Sequence, residues 1–277
     1  MKHLEDTRGP RWMAVVTAAA CIVMSATFSA QGPPGGRGQA PRTARAAAPV
    51  DLTGYWVSVV TEDWRWRMQT PAKGDFAGVP LNRAARAIGA AWDPAKDEAA
   101  GEQCKAYGAG GIMRVPGRVH ITWVDDNTLQ IQADAGTQTR TLRFAAPAAP
   151  VAAAAAAPPS LQGDSVARWE GIQRGPGTPD FLPIGLNPRE GTRGRSLEVV
   201  TTNLRPGYLR KNGVPYSART TVREYFDLST ERNGDTWFVV TTIVEDPEYL
   251  TEPFVTSSNF RKQADATGWN PQPCSAR

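Results

Sequence analysis

The chain has 277 residues, a formal net charge of +4 and a pI near 9.1. Residues 1–30 hold a net +1 (Lys2, Arg8 and Arg11 against Glu5 and Asp6) and residues 31–50 a net +3 (Arg37, Arg42, Arg45), so the rest is neutral. A nucleic-acid-binding domain thereby loses its electrostatic basis.

Lys2, Arg8 and Arg11 precede the apolar run Met13–Met24, and small residues then lead to Ser29-Ala30 before Gln31-Gly-Pro-Pro34. A basic start, a short apolar middle and a small-residue exit describe a secretory signal peptide, expected over 1–30. No later stretch reaches the roughly 18 apolar residues of a membrane span, so none is expected after leader removal. The expected location is periplasmic or extracellular. Residues 31–50, rich in Pro, Gly, Ala and Arg, read as a disordered linker. Residues 51–277 suffice for one domain with a sizeable core.

Within it, Leu52–Val60, Arg118–Val124, Thr128–Ala133, Thr137–Phe144 and Ser165–Glu170 read as strands. So do Ser196–Asn203, Thr220–Leu228, Asp235–Val244 and Phe254–Arg261. Asp125-Asp126-Asn127, Asn212-Gly213 and Asn233-Gly234 are turn signals. The main helix is expected over Leu81–Trp92, with Leu81, Ala84, Ala85, Ile88 and Trp92 on one face, and Asp93-Pro94 starts a short second turn. An Ala/Pro-rich loop insertion occupies 145–163. The expected class is mainly β: an antiparallel up-and-down barrel or a strongly curved sheet, with one or two short helices near 81–104.

Cys104 and Cys274 are the only cysteines after the leader. In an oxidising compartment they are expected to pair. His120 is the only histidine left, so no metal site is expected.

Gly54-Tyr55-Trp56 resembles the Gly-x-Trp that opens lipocalin-like barrels, where the tryptophan closes the floor and stacks under an arginine of the last strand; Arg261 would be that arginine. Longer blocks resemble a family of exported, functionally uncharacterised bacterial proteins. They are 61–68 (TEDWRWRM), 92–108 (WDPAKDEAAGEQCKAYG), 134–140 (DAGTQTR), 208–217 (YLRKNGVPYS) and 244–254 (VEDPEYLTEPF). That resemblance implies an exported β protein and no particular activity.

Motifs for phosphate loops, dinucleotide binding, serine hydrolases, zinc proteases and paired CxxC sites are absent, so no cofactor is expected. His120, on the Arg118/Thr122 side of its strand, is the natural general base if that side lines a lumen, with Asp134 and Glu245 as acidic partners. Trp64, Arg65, Trp66 and Arg67 are read as an extended segment with indoles on one side and guanidinia on the other, suited to a carboxylate or planar ligand. Arg118, Trp123 and Arg140 complete the ligand-binding candidates. Asp134 and Arg140 also suit an ion pair across the Gly136 bend. Arg210-Lys211-Asn212-Gly213 reads as a charged hairpin tip, and Glu245–Glu252 as a solvated turn around Pro247.

The leading expectation is an exported protein that holds a small, largely apolar or amphipathic ligand in a barrel lumen, acidic end toward the arginines. One alternative is a cofactor-independent isomerase, lyase or hydrolase using His120. Another is a structural or interaction module of the cell envelope.

Overall fold

The computed structural model describes residues 42–144, 157–170 and 196–277. The expected signal peptide, linker residues 31–41 and residues 145–156 of the insertion lie outside the described residues.

Nine strands close a barrel: β1 (Gly54–Val59), β2 (Arg118–Asp125), β3 (Thr128–Ala133), β4 (Gln138–Phe144), β5 (Asp164–Trp169), β6 (Ser196–Thr202), β9 (Thr221–Thr230), β10 (Thr236–Glu245) and β11 (Phe254–Gln263). Their order around the ring is β1-β11-β10-β9-β6-β5-β4-β3-β2. The short strands β7 (Gly207–Arg210) and β8 (Val214–Tyr216) form a separate hairpin between β6 and β9. Three short helices are α1 (Trp64–Arg67), α2 (Arg83–Ala91) and α3 (Pro94–Ala99). None of the described helices is long and apolar enough to cross a membrane.

A closed ring of nine strands cannot alternate direction at every step. The parallel pair it needs is β4–β5, with Leu142 opposite Ser165 and Phe144 opposite Ala167. Parallel neighbours require a connection that returns along the strand length. Residues 145–163 make that connection, so the Ala/Pro insertion sits where the topology demands a long link.

One end of the barrel carries the β2–β3 and β9–β10 hairpins. There residues 43–52 pack on the rim: Ala44 O accepts the Trp169 indole N–H at 2.8 Å, Arg45 N–H reaches Asp126 O at 3.0 Å, and Val50 and Leu52 are buried. Part of the segment expected to be linker thus belongs with the barrel, because Val50 has apolar surface to cover and the hairpin offers acceptors. The helices and the β7–β8 hairpin all lie at the other end and form a cap with its own apolar core, built on Phe76, Leu81, Leu209, Val214, Tyr216 and Val244.

Alternation along each strand sends one set of side chains inward. Trp56, Ile121, Leu129, Leu142, Leu197, Val199, Phe226, Phe238, Val240 and Phe260 fill the lumen, all essentially without solvent contact. Ring packing is close: Trp56 meets Phe238 edge-on at 4.7 Å between centroids, and Phe238 stacks on Phe260 at 4.6 Å. Burying each such side chain contributes about 1.5–3 kcal/mol. Trp56 donates its indole N–H to Leu52 O at 2.9 Å. The cation over its ring is Lys262, at 5.3 Å, and not Arg261, which is exposed and pairs in register with Val57 and Trp237. A one-residue offset puts these two neighbours on opposite faces of β11.

In the cap, α2 begins where Asn82 Oδ1 accepts the Ala85 N–H at 3.0 Å. Its buried stripe is Leu81, Ala85 and Gly89, while Ala84 and Ile88 are exposed. The expected face is therefore rotated. Gly89 explains the rotation: a Cβ there would lie 2.8 Å from the Phe76 ring, so only glycine lets the helix press onto it.

Candidate functional site

Residues 61–68 are not extended. Asp63 adopts a left-handed φ of 52°, and Trp64–Arg67 then form the single turn α1. Helical geometry spreads the four side chains around an axis instead of onto two faces. Trp64 is 66% exposed, and Arg65 is exposed beside Asp75, 3.2 Å away. Trp66 turns inward and donates its indole N–H to Asp75 Oδ2 at 3.2 Å. Arg67 is buried, ion-paired with Glu62, and donates Nε–H to Arg114 O at 2.8 Å.

Arg67 meets two more buried arginines. Arg114 comes from the 3-10 turn Ile112–Arg114 and pairs through Nη2 with Asp63 Oδ2 at 2.9 Å. Arg210, the last residue of β7, donates Nη1–H to Ala77 O at 2.7 Å. Its guanidinium lies 5.0 Å from the Trp66 ring centroid and 5.8 Å from that of Phe254, and Arg114 lies 5.7 Å from Phe254. Burial, and after it the like charge of Arg114, pulls the Arg210 pKa down to about 10. Burial likewise lowers that of Arg67, against the opposing pull of Glu62. Arg210, at about 10, stays charged at neutral pH.

These three guanidinia line an inner pocket with about 30 Å³ of free space, walled by Trp66, Ala106, Val115, Pro116 and Leu209. Gly111 lies on the same wall, where a Cβ would come within 2.8 Å of Ala106 O. Through Arg67, Gln69, Val115, Pro116 and Lys211 the pocket adjoins an open trough of about 410 Å³. Met68, Tyr107, Arg118, Asp134, Asn270 and Pro273 form much of its remaining lining. The C-terminal segment is held there by Gln272 N–H to Asp134 O at 2.9 Å and Thr137 Oγ1–H to Gln272 O at 3.0 Å. The Cys104–Cys274 disulfide fastens its end.

Trp66, Arg67, Arg118 and Asp134, all read from the sequence, therefore come together at the cap end. Asp134 Oδ1 accepts the Arg118 backbone N–H at 2.7 Å, a structural role. Arg140 goes elsewhere: it is 2% exposed inside the barrel, where it pairs with Glu224 rather than with Asp134. Trp123 lies at the opposite, hairpin end, tilted against Phe144 and Trp169. Glu245 is exposed at the end of β10.

His120 faces outward. Its ring stacks on Tyr55 at 4.0 Å and 3°, with Trp269 edge-on at 6.3 Å and Nδ1 3.3 Å from Gln132 Oε1. No carboxylate hydrogen-bonds to it among the described residues, so the His120–Asp134–Glu245 set is not assembled. Nor do the described residues hold a group of His, Cys, Asp and Glu side chains placed for a metal ion.

Asp246, within the turn read as solvated, is in fact buried. It accepts Ser217 N–H (2.6 Å), Ser217 Oγ–H (2.9 Å), Thr220 Oγ1–H (2.8 Å), Glu248 N–H (2.8 Å) and Tyr249 N–H (3.1 Å). Burial alone would raise its pKa, but these donors outweigh that and hold it below the usual value of 3.8. A depressed carboxylate adds stability above its unfolded pKa and loses it as pH falls through the folded one. Asp246→Asn should destabilise the protein by about 2–3 kcal/mol at pH 7, with a smaller gap from the parent in melts below pH 3. An equal gap at both pH values would contradict the charged role.

No family model matches this chain. Searches of curated proteins and of solved structures return no significant match either. Arg114 and Arg210 were not legible as site residues. Arg114 follows a glycine-rich turn, and Arg210 precedes the Asn-Gly signal of a hairpin whose packing within the cap has no local signature.

Proposed function

We propose that this chain is an exported small-molecule-binding protein whose ligand sits in the trough and inner pocket of the cap, with the filled barrel as its rigid support. The observation that carries this reading is the open trough adjoining a pocket walled by apolar groups and floored by buried guanidinia. An amphipathic ligand needs that combination of apolar lining and few fixed polar groups. A lumen packed with Trp56, Phe226, Phe238 and Phe260 argues for moving the ligand from the barrel interior to its end. All five sequence blocks that resemble the exported family reach this region, contributing Arg67, Tyr107, Asp134 and Arg210, with Phe254 beneath the guanidinia. The disulfide supports export, since such bonds persist in oxidising compartments.

Native mass spectrometry of the full chain, before and after organic extraction, tests the proposal. A reproducible adduct that extraction removes is expected. Gln69→Trp, at an exposed position where trough and inner pocket meet, should abolish the adduct without lowering Tm. A bare mass from the parent protein, or an adduct indifferent to Gln69→Trp, would overturn it.

A further inference from the structure

The charges around the inner pocket do not balance. Glu62 pairs with Arg67, Asp63 with Arg114 and Asp75 with Arg65. Arg210 has no carboxylate within ion-pair distance among the described residues, and its Nη1 donates only to a carbonyl. One buried positive charge is left over. The N–H donors do not balance either: Arg67 Nη2, Arg114 Nη1 and Arg210 Nε are buried without a hydrogen-bond partner. Buried charged donors are ordinarily satisfied, because each unmade bond forfeits the hydration it lost. The side chains that carry them come from three separate segments and line one pocket, so a single acceptor placed there would serve all three once the guanidinia turn toward it.

The missing acceptor must be small. The free space is about 30 Å³ against about 410 Å³ in the trough, so the inner pocket takes the small polar end of a ligand while its body stays outside. The unpaired guanidinium of Arg210, with the Lys211 ammonium on the same wall, asks for an anionic group. Guanidinium donors suit the planar pair of oxygens on a carboxylate, and the apolar walls strengthen such bonds. We propose that the inner pocket is a monocarboxylate site, which receives the acidic end of a ligand whose apolar body occupies the trough. The inference rests on the binding function proposed above and adds the class of ligand: a small organic acid entering carboxylate first. Lys211, whose Nζ lies 5.6 Å from the Tyr107 ring centroid, lines both compartments and adds a cation along the path.

Benzoate, benzamide and inorganic phosphate are the probes, added to the full chain at matched ionic strength and followed by calorimetric titration and thermal melts. Benzoate should bind saturably and raise Tm by about 4–7 °C at a concentration ~20 times its Kd. Benzamide has nearly the same shape without the charge and should bind at least tenfold more weakly. Arg210→Met should remove at least nine-tenths of the benzoate affinity. Should that variant not fold, Lys211→Met offers a milder test and should weaken benzoate about threefold while leaving benzamide unchanged. Equal binding of benzoate and benzamide would overturn the carboxylate assignment and leave ligand binding standing. Phosphate binding more tightly than benzoate would overturn the assignment too. If no probe binds and native mass spectrometry still finds an extractable adduct, this inference alone falls; a bare mass as well removes both.

Discussion

Glu224→Leu is expected to destabilise the protein by about 3–5 kcal/mol, because it strands Arg140 as an unpaired cation inside the barrel. The pair is bidentate, with Nη1 to Oε1 at 3.0 Å and Nη2 to Oε2 at 2.6 Å, and both residues are essentially without solvent contact. Arg140 is on β4 and Glu224 on β9, with β5 and β6 between them in the ring, so the pair spans the interior. Thr201 and Ser165, hydrogen-bonded to each other at 2.8 Å, extend a polar belt toward it, and Arg140 Nη2 reaches Thr201 Oγ1 at 3.4 Å. Desolvating two charges costs several kcal/mol per ion, which their attraction roughly offsets. Removing one partner keeps the cost for the other and loses the attraction. For a chain of this size the loss corresponds to a Tm drop of roughly 6–20 °C. Arg140→Met with Glu224→Leu removes both charges and should return the protein to within about 1 kcal/mol of the parent, or above it. A single variant as stable as the parent would mean that water reaches Arg140, and the closed lumen would have to be reconsidered.

The same pair shows where sequence reading succeeds and fails. All nine barrel strands overlap windows visible in the sequence to within two residues at either end, because alternation is a local property. β2 shows it plainly, with Val119, Ile121 and Trp123 on one face and Arg118, His120 and Thr122 on the other. Which face points inward is decided by closure of the whole ring. A lumen lined by the polar face would have placed His120 beside a ligand; instead the apolar face turns in and His120 stacks outside on Tyr55. Arg140 breaks the rule that charges face out, and its partner lies 84 positions away, so no local pattern could reveal it. The site follows the same logic. Trp66 and Arg67 were conspicuous as a dense aromatic and basic run, whereas Arg114 and Arg210 reach the pocket only because distant turns fold together in the cap. The one-turn helix α1 escaped because four residues are too few to display a period.

Reducing the Cys104–Cys274 disulfide is expected to lower stability by about 3–5 kcal/mol and to loosen one wall of the trough. The bond joins residues 170 apart, and a loop that long gives nearly the largest effect in the chain-entropy model. Its second consequence is local. Cys274 ends a segment that crosses the outer face of β2, where Gly268 lies so close to Arg118 that a Cβ would come within 2.4 Å of the guanidinium. Trp269 closes edge-on against Tyr55 and His120, and Ser275 N–H donates to Tyr107 Oη at 3.3 Å. Without the disulfide, these contacts and the two hydrogen bonds around Gln272 must hold the segment alone. Paired melts with and without reductant, and of Cys104→Ser with Cys274→Ser, should show Tm lowered by roughly 6–20 °C. Hydrogen exchange should then rise first in residues 264–277, before the barrel strands, because the segment can open without breaking the ring. A Tm unchanged by reductant would mean that the disulfide adds little, and uniform exchange would mean that the segment and the barrel open together. If the trough holds the ligand, the reduced protein should also release it faster, since Asn270 and Pro273 leave with the segment. The disulfide would then set ligand residence time as well as stability, through one covalent bond outside the barrel.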